Sequence, residues 1–294
     1  MEVIRFFDRH NNPPKDHPTG TGNRPDFLAM KLRAGESAPS VFHWSALEAT
    51  GELLSGNDKE NSRVKSAAYT SYLLQARPDM VTVQGIYIDP TGFRLVASNA
   101  CEAFDTNTLD WKLRSSRLLL CAWIWQLYEP VVDPSITANF ERGKPLTFDI
   151  AVSGATYPNC TVHSAGTPFG RRTIVFACPN PGIVIKEQYI ETSRGFEEGR
   201  ALAKIHEKGT FPGVVRLDRQ QAAVGSSETE LVVKGKESER KKTRAVLLDK
   251  APSIMDAKTL REALVAMYDL LESEFFGRHH PALLIAQTSH AVSP

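Results

Sequence analysis

Apolar residues in the first half of the chain fall into short runs separated by polar segments. Residues 26–32 and 44–54 are apolar segments of strand length, and residues 62–74 are alanine-rich with apolar positions at helical spacing. The order strand, strand, helix indicates an α/β unit.

Two β-branched runs at 81–88 and 92–98 flank the turn sequence Asp-Pro-Thr-Gly, which predicts an antiparallel hairpin. A helix follows at about 115–128. Its most apolar part, 118–128, covers roughly half of the ~20 residues that a bilayer requires. We therefore expect a buried helix and no membrane span.

Residues 129–145 contain three prolines and little periodicity. This predicts a domain boundary, with an N-terminal α/β domain at 1–145 and a second domain at 146–294.

The second domain starts a new series of elements. Residues 172–177 and 182–186 are predicted strands, 195–207 a helix, and 228–233 and 243–248 two further strands. The last predicted helix opens at a capping box at 259–262 and continues to 275, with its apolar residues on one face. The charged run 234–242 is interpreted as a solvated hairpin loop rather than a nucleic-acid patch.

Composition narrows the classes of function. The chain is 41% hydrophobic with a net charge of +1, so no overall field attracts nucleic acid or anionic lipid. The four cysteines form no C-x-x-C pair and are expected to be buried free thiols. The N-terminus has no signal-peptide pattern, which predicts an intracellular protein, cytoplasmic or nuclear.

The element order of the second domain is that of the N-lobe of a protein kinase. In such a lobe a lysine on the third strand contacts the ATP phosphates, and Lys186 ends a predicted apolar strand. Its carboxylate partner is expected on the following helix. Glu198 shares a helical face with Leu202 and Ile205, so it is preferred over Glu197.

A phosphate-covering loop is expected before these strands. Gly166, Gly170, Arg171 and Thr173 lie at that place, and two glycines allow phosphates a less close approach than three. Leu248 lies where a kinase hinge receives the adenine on backbone groups.

Several phrases of the second domain resemble the fungal-type protein kinases: Phe-Gly-Arg-Arg-Thr at 169–173, Val-Ile-Lys at 184–186, and the segments 243–248 and 257–264. The resemblance implies a five-stranded antiparallel sheet with one helix, and ATP with Mg²⁺ as ligand. That family continues into His-Arg-Asp and Asp-Phe-Gly loops, which this sequence lacks. No catalytic residue and no phosphotransfer are therefore expected.

The first domain resembles a degenerate PD-(D/E)xK nuclease-like domain. Asp26 and Glu52 match its metal-binding carboxylates, whereas Leu54 replaces the lysine of the Glu-x-Lys motif. Lys65 takes the place of the helix glutamine, four residues before Tyr69. A retained fold without cleavage is expected.

Two other functions are compatible with the sequence. One is a non-catalytic scaffold that contacts a protein partner through the exposed face of the 259–275 helix. The other is the remnant of a disrupted kinase gene.

Overall fold

The computed structural model describes residues 1–8, 12–20, 22–54, 59–140, 146–180, 182–193, 198–207, 209–210, 214–225, 228–249 and 258–261. Within these residues the chain forms two sheets and three α-helices. The α/β first domain and the mainly antiparallel second domain expected from the sequence together make an α+β protein, and this mixed α+β class is confirmed.

The first sheet has seven strands in the order β1-β2-β3-β4-β5-β6, with β7 beside β5. All neighbours are antiparallel except β3 and β4, which are parallel and connected through helix α1 (Lys59–Ala76). A parallel pair needs such a crossover. The strands are β1 Glu2–Asp8, β2 Phe27–Arg33, β3 Ala49–Leu53, β4 Val83–Asp89, β5 Gly92–Ser98, β6 Ala103–Asp105 and β7 Leu109–Asp110.

The predicted hairpin is present as β4 and β5. The Asp89 carboxylate accepts hydrogen bonds from the backbone N–H groups of Thr91 (2.7 Å) and Gly92 (2.9 Å), as expected of an Asx turn. A Cβ at position 92 would lie 2.3 Å from the carbonyl oxygen of Leu109, so this turn needs glycine for close approach as well.

Helix α2 (Arg114–Tyr128) packs on the first sheet through one face only. Trp123 and Leu127 are buried there, but Leu118 is 59% and Trp125 66% exposed. The prediction of a buried helix was wrong, because the sheet covers one side of a helix that is apolar on more than one side. No helix in the described ranges combines the length and apolarity needed to span a membrane.

The second sheet has eight strands, all antiparallel, in the order β13-β15-β12-β11-β10-β9-β8, with β14 beside β15. Helix α3 (Glu198–Ile205) connects β12 to β13. The strands are β8 Ile136–Asn139, β9 Thr147–Val152, β10 Ala155–Ala165, β11 Ile174–Ala177, β12 Val184–Glu191, β13 Leu217–Ala222, β14 Val232–Lys234 and β15 Glu239–Leu247.

The two faces of this sheet bury different clusters, since side chains alternate along each strand. Ile185 and Val246 belong to a cluster on one face that includes Phe148 and Phe176. Val184 belongs to the cluster on the other face, beneath Leu202 of α3. Lys186, two residues after Val184, therefore faces the helix.

The two halves share a core. Val81 and Ala100 of the first half cluster with Tyr189, Leu231 and Val233 of the second. Strand β8 lies before the predicted boundary at 145 and pairs with β9, so the second sheet begins within the proline-rich stretch.

The charged run 234–242 is mostly strand. Only residues 235–238 connect β14 to β15, and Lys242 is completely buried. The interpretation of the whole run as a solvated loop was wrong, because buried carboxylates elsewhere in the chain neutralise its last lysine.

Candidate functional site

Lys186 and Glu198 form a bidentate ion pair between β12 and α3. The ammonium Nζ lies 2.7 Å from Oε1 and 2.8 Å from Oε2 of Glu198, and both side chains are almost completely buried. Gln188 donates a further hydrogen bond of 3.1 Å to Oε2. The structure thus brings together the two residues paired from the sequence, while Glu197 lies outside the described residues.

The position of Lys186 differs from the sequence expectation in one respect. The strand does not end there but continues to Glu191, so the lysine lies in the middle of β12. Its neighbours are Val175 on β11 and Ala245 on β15. Paired on both sides, the lysine backbone is held rigidly, which fixes the direction of the side chain.

The loop between β10 and β11 is tied to the rest of the protein through its backbone. The N–H of Gly166 donates to the carbonyl of half-buried Thr173, and the N–H of Gly170 donates to the carbonyl of Ala100, both at 2.8 Å. The Gly166 carbonyl accepts a hydrogen bond of 2.7 Å from Gln75 Nε2. In this conformation neither glycine amide is free to donate to a phosphate.

Two adjacent arginines in this loop have opposite environments. Arg171 is exposed, and its carbonyl accepts a hydrogen bond from the N–H of Tyr189. Arg172 is 1% exposed, has a φ of 40°, and donates to three carbonyl groups around the C-terminal end of α1. These acceptors are the oxygens of Leu74, Arg77 and Met80, at 2.6, 2.9 and 2.9 Å.

The predicted hinge begins at Leu248, directly after β15. Its side chain is 38% exposed, and its N–H donates to the carbonyl of Arg216. The next residue, Asp249, forms an ion pair of 2.7 Å with the Arg216 guanidinium. Of the predicted partner-binding helix 259–275, residues 262–275 lie outside the described residues.

The candidate residues of the first half also converge. Asp26 accepts a hydrogen bond of 2.8 Å from the N–H of Leu53, and Lys65 Nζ of α1 lies 3.5 Å from Glu52 Oε1. Burial raises the pKa of Glu52 to about 7, the Asp26 charge adds to the rise, and Lys65 opposes it. Burial also raises the pKa of Tyr69, one turn further along α1, to about 12.

This group differs from what the sequence alone predicted. A lysine does approach the buried glutamate, from the helix instead of from β3. However, no group of three or more histidine, cysteine or acidic residues suited to holding a metal ion occurs among the described residues. A carboxyl with a pKa near 7 is partly protonated at neutral pH, which weakens it as a metal ligand.

A buried charge cluster between the halves was missed by the sequence analysis. Lys242 Nζ lies 2.9 Å from Asp133 Oδ2 and 2.8 Å from Glu187 Oε1, and the Arg244 guanidinium contacts both acids and Ser135. Burial by itself raises the pKa of Asp133, but the two cations outweigh it and hold that pKa well below its usual range. Two cations and two anions make the cluster neutral.

A cavity of about 250 Å³ lies beside β4 and α2. None of the residues predicted to bind nucleotide lines it. Its lining residues are Glu48, Met80, Thr82, Gln84, Gln126, Leu127, Pro130 and Val131.

Comparison with known proteins gives no relative. No protein-family model, no curated protein and no solved structure matches the chain. The functional argument therefore rests on the geometry of the sites above.

Proposed function

We propose that the second half is a protein-kinase-like lobe that binds ATP through Lys186, with Glu198 holding the lysine in place. The observation that carries this proposal is the bidentate contact of 2.7 and 2.8 Å between a lysine in the middle of a strand and a glutamate in the first turn of the next helix. In protein kinases a lysine on the third strand and a glutamate on the following helix form such a pair and position the ATP phosphates.

The order of the strands supports the proposal independently of the ion pair. Within the second sheet, five strands are adjacent in the order β10-β11-β12-β15-β13, and the helix follows β12. If β10 is counted as the first strand and β14 is left out, the order across the sheet is 1-2-3-5-4, and the helix follows the third strand. A kinase N-lobe likewise has its lysine on the third strand and a helix after that strand. The lysine lies on that third strand, and the loop at 166–173 connects the first two.

The chemistry of the pair suits a phosphate ligand. A lysine ammonium has three N–H donors, and Glu198 accepts from Lys186 with two oxygens. We expect the third donor to contact an α- or β-phosphate oxygen of the bound nucleotide. Mg²⁺, when bound with the nucleotide, would neutralise phosphate charge.

The hydrogen bonds that the loop 166–173 makes within the protein indicate a low affinity for ATP. Phosphate binding by the amides of Gly166 or Gly170 requires loss of their hydrogen bonds to Thr173 and Ala100. Each bond lost costs about 1 kcal/mol. We therefore expect Lys186 to contribute more to binding than the loop does.

Calorimetric titration with Mg-ATP tests the proposal. The wild-type chain is compared with Lys186→Met, which keeps much of the side-chain volume and removes the charge. Arg240→Met is the matched control, because it also removes a cation that pairs with a glutamate: Arg240 on β15 lies 3.1 Å from Glu191 at the end of β12. We expect binding heat in the wild type and the control and none in Lys186→Met.

Two results would overturn the proposal: no binding by a folded wild-type chain, or equal affinity in Lys186→Met. Circular dichroism of each variant establishes that it is folded before titration. If the folded wild type does not bind, the non-catalytic scaffold becomes the preferred function.

For the first half we infer a nuclease-like fold without cleavage. The strand order supports it: β1, β2 and β3 form an antiparallel meander, and α1 leads to β4 parallel to β3. Incubation of supercoiled DNA with the protein and Mg²⁺ or Mn²⁺ is expected to leave the DNA intact. Cleavage that is lost in Glu52→Gln would contradict this inference.

A further inference from the structure

Two cysteines lie within contact distance in the second sheet. The Sγ atoms of Cys160 and Cys178 are 3.0 Å apart, and both cysteines are free thiols. Strands β10 and β11 are antiparallel, and Thr161 pairs with Ala177. The residue before Thr161, Cys160, therefore lies opposite the residue after Ala177, Cys178. The two thiols therefore belong to adjacent positions on neighbouring strands.

We propose that Cys160 and Cys178 are a redox modification site, at which a peroxide converts the two thiols into a reversible disulfide between β10 and the end of β11. A disulfide has an S–S distance of about 2.0 Å, so the sulfur atoms need to approach by about 1 Å. Side-chain rotation and a small strand displacement supply this, because the two backbones are already paired through Thr161 and Ala177.

The different environments of the two thiols indicate which of them reacts first with the peroxide. Cys160 is completely buried, whereas Cys178 is partly exposed and reachable by a small oxidant. The hydrogen bond between them lowers the pKa of Cys178 and raises that of Cys160, and burial adds to the latter. The thiolate is the reactive form of cysteine, so Cys178 reacts first and Cys160 second.

The reaction balances with hydrogen peroxide as the only oxidant. The Cys178 thiolate attacks one peroxide oxygen, the O–O bond breaks, and a sulfenic acid and hydroxide are formed. The Cys160 sulfur then attacks the Cys178 sulfur and the S–O bond breaks. The hydroxide that leaves takes the Cys160 proton, so two thiols and one peroxide give one disulfide and two waters.

The disulfide would fix the base of the β10–β11 hairpin. Cys160 lies in the cluster with Phe148 and Phe176, and Cys178 packs against it. The connecting segment includes the loop 166–173, which a disulfide would close at its base. A link of this kind restricts the unfolded chain and raises the thermal midpoint. This inference is independent of nucleotide binding.

The other two cysteines of the chain, Cys101 and Cys121, are replaced for the test. Cys121 is exposed and Cys101 is partly buried, so the expectation that all four thiols are buried was wrong. Substitution of both by serine leaves the Cys160–Cys178 pair as the only thiols and prevents intermolecular links through Cys121.

The experiment oxidises this double-serine protein with hydrogen peroxide, then unfolds it and alkylates free thiols. We expect two alkylated thiols before oxidation, none after it, and two again after dithiothreitol, with a higher thermal midpoint in the oxidised form. Peptide mapping of the wild-type chain is expected to give one cross-linked species containing residues 160 and 178, lighter by two hydrogens.

Cys160→Ser in the same background is the matched variant. Without the second thiol, Cys178 is expected to proceed to sulfinic acid, which dithiothreitol does not reverse. Two thiols that still alkylate after oxidation would overturn the proposal, as would sulfinic acid at Cys178 in the protein that retains both thiols. If a serine variant fails to fold, the wild-type peptide map tests the proposal instead: absence of the cross-linked species containing residues 160 and 178 would overturn it.

Discussion

The Arg172 guanidinium donates a hydrogen bond of 2.6 Å to the carbonyl oxygen of Leu74, in the last turn of α1. The last carbonyl groups of a helix have no partner within the helix. A cation at this end also interacts favourably with the helix dipole. One arginine thus stabilises the end of α1 and fixes the loop at 166–173 to the first half of the protein.

Arg172→Lys is expected to lower the free energy of unfolding by about 2–4 kcal/mol. An ammonium cannot reproduce the geometry of the guanidinium contacts to three carbonyl groups, and charge-assisted hydrogen bonds of this kind contribute about 1.5–3 kcal/mol each. Urea denaturation measures the change as a lower midpoint at constant slope. Arg171→Lys, at the exposed neighbouring position, is the control and is expected to change stability by less than about 0.5 kcal/mol. Equal losses in both variants would contradict this role of Arg172.

Lys242→Met is expected to cost about 3–5 kcal/mol, because it leaves Asp133 and Glu187 with one buried cation between them. Lys241→Met on the same strand is the control, since that lysine is partly exposed and lies 4.0 Å from Glu230. Surface pairs of that kind contribute about 0–1 kcal/mol. A double variant that adds Glu187→Gln is expected to recover part of the loss, as measured by a double-mutant cycle in urea. A cost of Lys242→Met no larger than that of the control would contradict the cluster's contribution.

The sequence predicted the local features well. The β4–β5 hairpin follows from its Asx turn, and the choice of Glu198 as partner of Lys186 follows from the helical face it shares with Leu202. Each of these depends on residues within about a dozen positions of one another. Spacing along the chain is enough to predict them.

The features missed depend on distant residues. Strand β10 (Ala155–Ala165) has few buried side chains and no apolar run, so its pattern resembles that of a loop. Lys242 and Arg244 lie in a buried strand because they meet Asp133, which is more than a hundred residues away in the sequence. Local charge patterns cannot reveal a partner at that separation. Arg172 was missed for the same reason, since its acceptors lie about 95 residues earlier.

Glu52→Gln is expected to stabilise the protein at alkaline pH and to leave it nearly unchanged at pH 5. The folded-state pKa of Glu52 is raised from its ordinary value to about 7, mainly by burial, so the folded state binds its proton more tightly than the unfolded state does. Stability attributable to this group is therefore present at low pH and is lost as the pH rises through 7. Glutamine resembles the protonated acid and does not lose a proton. We expect the variant to gain about 2 kcal/mol in the free energy of unfolding at pH 8, less than the full pKa shift implies, because solvent around the half-exposed Lys65 screens part of the charge.

Urea denaturation at half-unit steps between pH 5 and pH 8 measures the difference between Glu52→Gln and the wild type. Glu129→Gln, at an exposed position of the same half, is the matched control and is expected to give a difference close to zero at every pH. The difference for Glu52→Gln should grow steadily above pH 5 and level off above pH 7. A constant difference over this range would mean that Glu52 keeps an ordinary carboxyl pKa in the folded protein. In that case Glu52 would be ionised at neutral pH and could bind Mg²⁺ together with Asp26, and the inference that the first half has lost its cleavage activity would lose its electrostatic basis.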